Sequence, residues 1–209
     1  MGRVGDELIR PIIRALDDVP VHGRQLGDLV RKLRAKQSTN RDGVVEIDTF
    51  DVTLRPFRRN RRHDPTEYDR QYTEQMTTLQ TMSVADWRRN RQEYLANGRT
   101  SDSLRAQQYA RDAALKDKVL ELREAGQSKA EATQNAREWL THQAATHRLD
   151  GIAGGDVTDI SGVGDSRINS SLGSQWRTRV GDIDAAVDAY VAANPGADLS
   201  NVYMDIAFR

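Results

Sequence analysis

Cysteine is absent from this 209-residue sequence, which excludes a disulfide framework, a thiolate metal site and thiol catalysis. Long apolar runs are absent as well, and no segment is long enough to cross a bilayer. The N-terminus shows no charged segment followed by an apolar one, so nothing directs the chain through the general secretory route. We therefore expect no membrane span, and export of this chain would need a dedicated secretion system.

A net charge is also lacking, because 31 Lys and Arg residues balance 31 Asp and Glu residues. Net charge alone therefore indicates no partner. The charges are nevertheless unevenly distributed: residues 55–62 contain five arginines, whereas the chain from Asp182 onward contains five aspartates and one arginine. This asymmetry predicts a basic surface and a separate acidic one.

Hydrophobic periodicity predicts an α+β fold, in which a mostly helical domain carries a small β-sheet and a Gly/Asp-rich loop. Residues 1–44 have the pattern of one or two amphipathic helices followed by a polar break. We interpret them as a helical appendage or linker before a domain at 45–209. The β-branched and aromatic segment 44–54 and the alternating segment 202–208 predict strands, so that the sheet joins both ends of the domain.

Capping residues predict where the helices between these strands begin. Ser83 and Ser128 are each followed three positions later by an acidic residue, which is the pattern of a helix N-terminus. The helix that opens at Ser128 is predicted to continue to His147, which would then lie at the helix C-terminus. A further uninterrupted helix is predicted over 172–191, where apolar residues recur every three to four positions.

The segment HRLDGIAGGDVTDISGVGDSRINSSLGSQW, residues 147–176, is the predicted Gly/Asp-rich loop. Seven of the fifteen glycines lie at positions 151–181. A flexible linker would not need the apolar residues Ile152, Val157 and Ile160 that are spaced through the segment. Glycine in an anchored loop permits a positive φ or a close backbone approach to a ligand such as phosphate. The pattern favours an ordered functional loop over a purely structural loop or a linker.

His147 and Asp150 are the first candidates for chemistry in this segment. If the preceding helix persists for one more turn, their side chains share a face and can bind one metal ion or one water molecule. The sequence leaves a second interpretation open. Leu140 and Ala144 precede His147 at helical spacing, and this spacing alone favours a hydrogen-bonded core imidazole.

The run HRLDGIAGGDVTDISGVGDSRINSSLGSQWRTRV, the upstream HDPTEYDRQYTEQM and the later DIDAAV together closely resemble the polymorphic toxin type 15 family. These are bacterial DNase toxins named for a His-x-x-Asp motif. The resemblance covers about residues 45–209. The long run is far more specific than the motif itself.

The resemblance implies metal-assisted degradation of DNA by a toxin that is often a type VI secretion effector and is paired with a dedicated immunity protein. The catalytic motif residues correspond to His147 and Asp150. Leu149 stands where many members have a proline, which concerns the local backbone shape and not the two functional groups.

Phosphodiester hydrolysis gives each group a role within this resemblance. Asp150 suits a hard cation such as Mg²⁺, and His147 suits a general base. Further carboxylates are possible metal ligands or, alternatively, turn and capping residues: Asp156, Asp159 and Asp165. Polar residues that follow are predicted to bind phosphates: Arg167, Asn169, Ser170, Gln175, Arg177 and Arg179. For Arg177 and Arg179, a solvated helix face is the alternative.

The leading hypothesis is an antibacterial DNase toxin with little sequence specificity, which acts in the cytoplasm of a target cell. Its expected partners are DNA, a cognate immunity protein and a secretion-system carrier, and it is expected to be secreted without a signal peptide. Two alternatives stay open. One is a non-catalytic module that binds nucleic acid or protein, which a chelator would not affect. The other is an RNase that uses the same site and differs only in its substrate.

Overall fold

The computed structural model describes residues 39–40, 43–44 and 47–209. Two short strands, β1 (Thr39–Asn40) and β2 (Gly43–Val44), pair antiparallel within the polar break predicted near the end of the appendage. The amphipathic helices predicted earlier in the chain lie outside the described residues. No helix within the described ranges has the length and apolarity that crossing a membrane would require.

The rest of the described chain is mostly helical, and the predicted α+β class is confirmed. The helices and strands that follow β2 are β3 (Asp48–Leu54), α1 (Pro65–Thr81), α2 (Val84–Asn97), α3 (Ser101–Glu124), α4 (Lys129–Thr141), β4 (Gln143–His147), β5 (Ile160–Asp165), α5 (Ser166–Trp176), α6 (Val180–Ala193) and β6 (Val202–Phe208). Short 3₁₀ turns at Gly151–Ala153 and Leu199–Asn201 complete the chain.

The two strands predicted at opposite ends of the domain form one sheet, as expected. β3 and β6 pair in parallel, with Asp48 opposite Val202 and Leu54 opposite Phe208. Their inward side chains belong to the main core, which α1, α2, α5 and α6 complete. The core comprises Val52, Leu54, Met76, Leu79, Val84, Trp87, Leu149, Ala153, Trp176, Ile183, Val187, Val202 and Met204.

Helix starts follow the capping residues because each cap satisfies a backbone N–H that has no partner within the helix. The Ser83 hydroxyl accepts a hydrogen bond from the backbone N–H of Asp86, and Ser128 forms a reciprocal capping box with Glu131. Both predicted starts are therefore confirmed. Asp64, just before α1, caps that helix in the same way.

The predicted continuation of the Ser128 helix to His147 is wrong. The helix ends at Thr141, and the next residues form β4, which pairs antiparallel with β5 so that His147 lies opposite Ile160. His147 therefore ends a strand, and the shared helix face predicted for His147 and Asp150 does not exist. Pairing with β5 overrides a helical spacing that only three residues carried. β5 itself, ISGVGD, contains two glycines and so has little strand propensity.

The single helix predicted over 172–191 is also wrong, since it is broken at residues 177–179 into α5 and α6. α5 begins earlier than predicted, at Ser166, where the Asp165 side chain caps it. Apolar residues on both sides of the break, among them Trp176 and Ile183, are buried in the same core. The hydrophobic period therefore continues across a break that the sequence pattern does not reveal.

Candidate active site

His147 is positioned by the end of β4, where the pairing with β5 is irregular. The register shifts between Thr146 and His147, and such a bulge changes the direction of the side chain that follows it. The His147 ring is half-buried, and its Nε2 lies 3.2 Å from the carbonyl oxygen of Val157. Because a carbonyl oxygen only accepts, the neutral ring carries its proton on Nε2 and keeps its lone pair on Nδ1.

The surroundings of His147 keep it neutral. Burial lowers the pKa of His147 below its usual value, and the positive charge of Arg99 acts in the same direction. The Asp150 carboxylate, together with the Val157 carbonyl, opposes this shift without cancelling it. His147 is therefore an unprotonated base at neutral pH, oriented by one hydrogen bond and close enough to Asp150 to sense its charge.

Asp150 is held by the turn that follows β4. Its Oδ1 accepts a hydrogen bond of 2.9 Å from the backbone N–H of Ile152, which caps the 3₁₀ turn. Its Oδ2 faces α5, where a Cβ atom added to Gly173 would lie 2.9 Å away. The helix approaches this closely because residue 173 has no side chain. A strand end and a tight turn thus bring the two motif residues together.

The loop after Asp150 is ordered because α2 anchors it. The Trp87 indole N–H donates to the carbonyl oxygen of Ala153 at 2.8 Å, and Arg91 donates to that of Ile152 at 3.0 Å. Tyr94, one turn further along α2, packs against Gly151. Positions 87, 91 and 94 share one helix face, so a single stripe of α2 holds the loop.

A buried polar network supports the loop from the side of α1. Glu74 is buried, pairs with Arg148 at 3.1 Å and accepts a hydrogen bond from the Ser161 hydroxyl at 3.0 Å. Two turns nearer the start of α1, Glu67 accepts hydrogen bonds from Gln71 and from the backbone N–H of Asp165. The network therefore joins α1 to both ends of β5 and to the residue that follows His147.

Glu67 is ionised within this network. Burial raises the pKa of Glu67, but hydrogen bonds from Arg70, Gln71 and the backbone of Asp165, with the charge of Arg70, outweigh burial and leave it below its usual value. No motif or spacing in the sequence predicted a role for these residues. The only signal was that HDPTEYDRQYTEQM, which contains Glu67 and Glu74, belongs to the family resemblance.

The other three predicted carboxylate ligands already have local partners. The Asp156 side chain accepts hydrogen bonds from the backbone and the hydroxyl of Thr158, and Asp159 pairs with Arg148 at 3.4 Å. Asp165 caps α5, and its hydrogen bond from Arg167 is the main cause that lowers its pKa to about 2. Within residues 47–209, no three His, Asp or Glu side chains are grouped so as to hold a metal ion.

Three of the six predicted phosphate contacts lie on α5, and a fourth, Arg177, is its C-cap residue. Asn169 is half-buried, and the others are exposed: Arg167, Ser170 and Arg177. Asn169 and Arg177 are each four positions from Gly173, so they lie along the side of α5 that faces Asp150. Arg167 pairs with Asp165 at 2.9 Å.

Gln175 and Arg179 have partners inside the protein. Gln175 exchanges two hydrogen bonds with the backbone of Arg58, at 2.8 and 3.1 Å. Arg179 is buried, so the solvated helix face that the sequence left open for it does not apply. Its guanidinium donates to the carbonyl oxygens of Arg55 and Pro56 at 2.8 and 2.6 Å.

Replacing Gly173 with alanine is expected to reduce roughly tenfold the DNA hydrolysis expected of His147 and Asp150, without unfolding the protein. Alanine favours the helix by about 1 kcal/mol, but its Cβ forces the Asp150 carboxylate to move by a few tenths of an ångström. Turnover and the free energy of unfolding should be measured together. Gly181→Ala is the matched control, because a Cβ at that helical position contacts nothing within 4 Å. Unchanged activity in the Gly173 variant would contradict this assignment of Asp150.

No curated protein matches the chain. The family model described as Novel toxin 15 matches residues 62–205, which contain both motif residues, the α1 network, the α2 anchor and α5. The match covers more than half of the sequence. This chain therefore belongs to the Novel toxin 15 family of polymorphic toxins.

Proposed function

We propose that this toxin is a metal-dependent DNase with little sequence specificity, in which His147 acts as general base and Asp150 binds the cation. The observation that carries the proposal is the state of His147. It is neutral and oriented, and the carboxylate of Asp150 lies within its electrostatic reach. The polar face of α5 lies beside Asp150.

His147 has the properties of a base that activates water. The hydrogen bond from Nε2 to the Val157 carbonyl fixes the ring and its tautomer, so Nδ1 is the atom that would accept a proton from water. The lowered pKa keeps this nitrogen unprotonated at neutral pH. A carbonyl that orients the imidazole plays the part that a carboxylate plays in other hydrolases.

The cation is assigned to Asp150. Mg²⁺ is commonly bound by one or two carboxylates together with substrate phosphates and water. The single half-buried carboxylate of Asp150 therefore suits Mg²⁺ better than a metal ion whose ligands must all come from the protein. When bound, Mg²⁺ would neutralise charge on the phosphoryl oxygens and favour departure of the leaving oxygen. The proposal rests on Asp150 alone, because Asp156, Asp159 and Asp165 have turn, ion-pair and cap partners.

The polar face of α5 supports a nucleic acid as substrate. Asn169, Ser170 and Arg177 offer donors to phosphate oxygens beside Asp150. Contacts to phosphates position a nucleic acid but carry no base information, which agrees with low sequence specificity. DNA is preferred to RNA because of the family resemblance, and an RNase using the same groups is the second candidate.

The family also suggests the biological setting of this activity. We propose delivery by a dedicated secretion system, such as type VI, into the cytoplasm of a competing cell, with a cognate immunity protein protecting the producer. That inhibitor would cover the Gly/Asp-rich loop or occlude the DNA, with acidic groups in place of phosphates. A tight-binding partner that left DNA cleavage unchanged would contradict this part of the proposal.

Removal of divalent metal is expected to abolish cleavage. Supercoiled plasmid should be nicked or linearised by the purified protein with Mg²⁺, remain intact with EDTA, and be cut again when Mg²⁺ is added in excess. A structured RNA serves as the parallel substrate. Cleavage that persists in EDTA would overturn the metal assignment, and cleavage of RNA alone would select the RNase. If both substrates stayed intact, the toxin would be a binding module.

A further inference from the structure

We propose that the arginine-rich connection, residues 55–62 between β3 and α1, is a rigid surface that binds the phosphate backbone of duplex DNA across α5 from His147 and Asp150. The choice of DNA as ligand rests on the proposed nuclease function. The surface itself is inferred from how the protein holds this segment and leaves its charges exposed.

The backbone of the arginine-rich connection is fixed although it forms no helix or strand. Arg179 donates to the carbonyl oxygens of Arg55 and Pro56 and stacks at 4.3 Å over the ring of Phe57. Phe57 in turn packs edge-on against the core residue Trp176, with ring centroids 4.7 Å apart. Side chains from the end of α5 and the turn after it thus hold the first half of the connection.

The second half of the arginine-rich connection is held by its own turn. The Gln175 side chain forms hydrogen bonds with both the N–H and the carbonyl oxygen of Arg58, and the backbone N–H of His63 donates to the carbonyl oxygen of Asn60 at 3.0 Å. Arg59 donates to the carbonyl oxygen of His63 at 2.7 Å. A segment ordered before binding loses less conformational entropy when it meets a ligand.

Three arginines of this connection project their charge into solvent. Arg58, Arg61 and Arg62 are exposed, and none of them forms an ion pair with a carboxylate among the described residues. The nearest acidic residue in the chain, Asp64, accepts a hydrogen bond from the backbone of Glu67 as the cap of α1. Clustered guanidinium groups without acidic partners raise the local positive potential and suit phosphate oxygens.

The arginine-rich connection and the candidate active site flank the same helix. Gly173, which faces Asp150, and Gln175, which holds Arg58, are two positions apart and so point to nearly opposite sides of α5. The exposed residues Ser174 and Arg177 lie between them. A helix with its side chains is about 10–12 Å across, close to the roughly 12 Å width of the major groove. A duplex lying over α5 would therefore offer phosphates to both places.

The composition of the surface favours DNA over a lipid bilayer. Amphipathic basic segments that lie in a membrane surface insert large apolar side chains beside their charges. In the arginine-rich connection the one aromatic residue, Phe57, packs inward against Trp176 and Tyr72. No large hydrophobic side chain within residues 55–62 is exposed.

The test measures DNA binding in full-length protein carrying His147→Ala, so that binding is observed without cleavage. A fluorescent 20-base-pair duplex is titrated by anisotropy between 50 and 200 mM KCl, with and without the additional changes Arg58→Gln, Arg61→Gln and Arg62→Gln. The triple change is expected to weaken binding roughly tenfold or more. It should also reduce the slope of log affinity against log salt by about 2.7, since each phosphate contact contributes about 0.9.

The matched control removes the same charge from the far end of α3 and from the start and middle of α4, with Arg123→Gln, Lys129→Gln and Arg137→Gln, all at exposed positions. Its salt slope should be unchanged. Equal losses in both triple variants would overturn the surface, because general charge would then explain binding. Loss of binding to phosphatidylserine vesicles with unchanged DNA binding would assign the connection to a membrane and also overturn it.

Two combinations of results distinguish a failure of the DNA-binding surface from a failure of the nuclease. If metal-dependent cleavage is found but the triple variant binds DNA normally, the inference fails alone. If the unmodified protein cleaves neither DNA nor RNA while the triple variant loses DNA binding, the nuclease fails and the DNA-binding surface stands.

Discussion

Alanine at His147 is expected to lower DNA cleavage by roughly 10²–10⁴-fold while the protein stays folded, because removing a general base typically has an effect of this size. The ring is half-buried and makes one hydrogen bond, to Val157, so the core does not depend on it. Cleavage of a plasmid should be measured in Mg²⁺, with circular dichroism as the check on folding. His147→Gln is the companion variant, since it keeps a polar side chain and lacks a base. Near-normal turnover by either folded variant would exclude His147 as the base.

The pH dependence of cleavage should show the lowered pKa of His147. The ring acts as a base only when unprotonated. Because its pKa lies below the ordinary value for histidine, about 6.5, cleavage is expected to stay level from neutral pH down to about pH 6.5 and to decrease at lower pH. The Asp150 carboxylate raises the pKa of His147, so Asp150→Asn should move the protonation of the ring to still lower pH. NMR titration of the imidazole measures this shift independently of activity. A midpoint above 6.5 in the unmodified protein would contradict the assigned environment.

Alanine at Gly155 is expected to destabilise the protein by about 3 kcal/mol or more, or to prevent folding, because the added Cβ would overlap the carbonyl group of Leu149. The overlap is with backbone and cannot be relieved by rotating a side chain. Moving that backbone would disturb the turn in which the Gly155 N–H donates to the Asp150 carbonyl at 3.1 Å. Urea unfolding followed by tryptophan fluorescence measures the loss.

Gly181→Ala again provides the comparison for Gly155. Position 181 lies inside α6 with open space around it, so alanine there should raise the free energy of unfolding by about 0.5–1 kcal/mol. Similar stabilities for the two variants would show that the loop does not need glycine at 155. The sequence predicted anchored glycines here, and the contacts identify which of them the backbone requires.

Features that depend on neighbouring residues could be predicted from the sequence. Ser83 and Ser128 cap their helices because the acceptor and the N–H it satisfies are three positions apart, a distance that the sequence states directly. Alternation in the last segment predicted a strand, which β6 confirms, but burial along β6 does not alternate: Val202, Tyr203 and Met204 are all buried, and Phe208 is exposed. The motif, and with it the choice of His147 and Asp150, came from the family resemblance, because two residues at this spacing are not specific by themselves.

Features that depend on distant partners were decided only by the tertiary structure. His147 ends a strand because β5, 13 positions later at Ile160, supplies its backbone partners, and no local pattern in either strand indicates the pairing. Arg179 looked like a surface cation, but the carbonyl groups of Arg55 and Pro56, more than 120 positions away, satisfy its donors and allow its burial. By itself, the sequence determined the helix caps, the end strands and the family, whereas the segment 147–176 that was predicted as one loop contains β5 and α5. The placement of His147 beside Asp150, and of the arginines across α5, required the folded chain, because hydrogen bonding and burial act between residues close in space, whatever their separation in sequence.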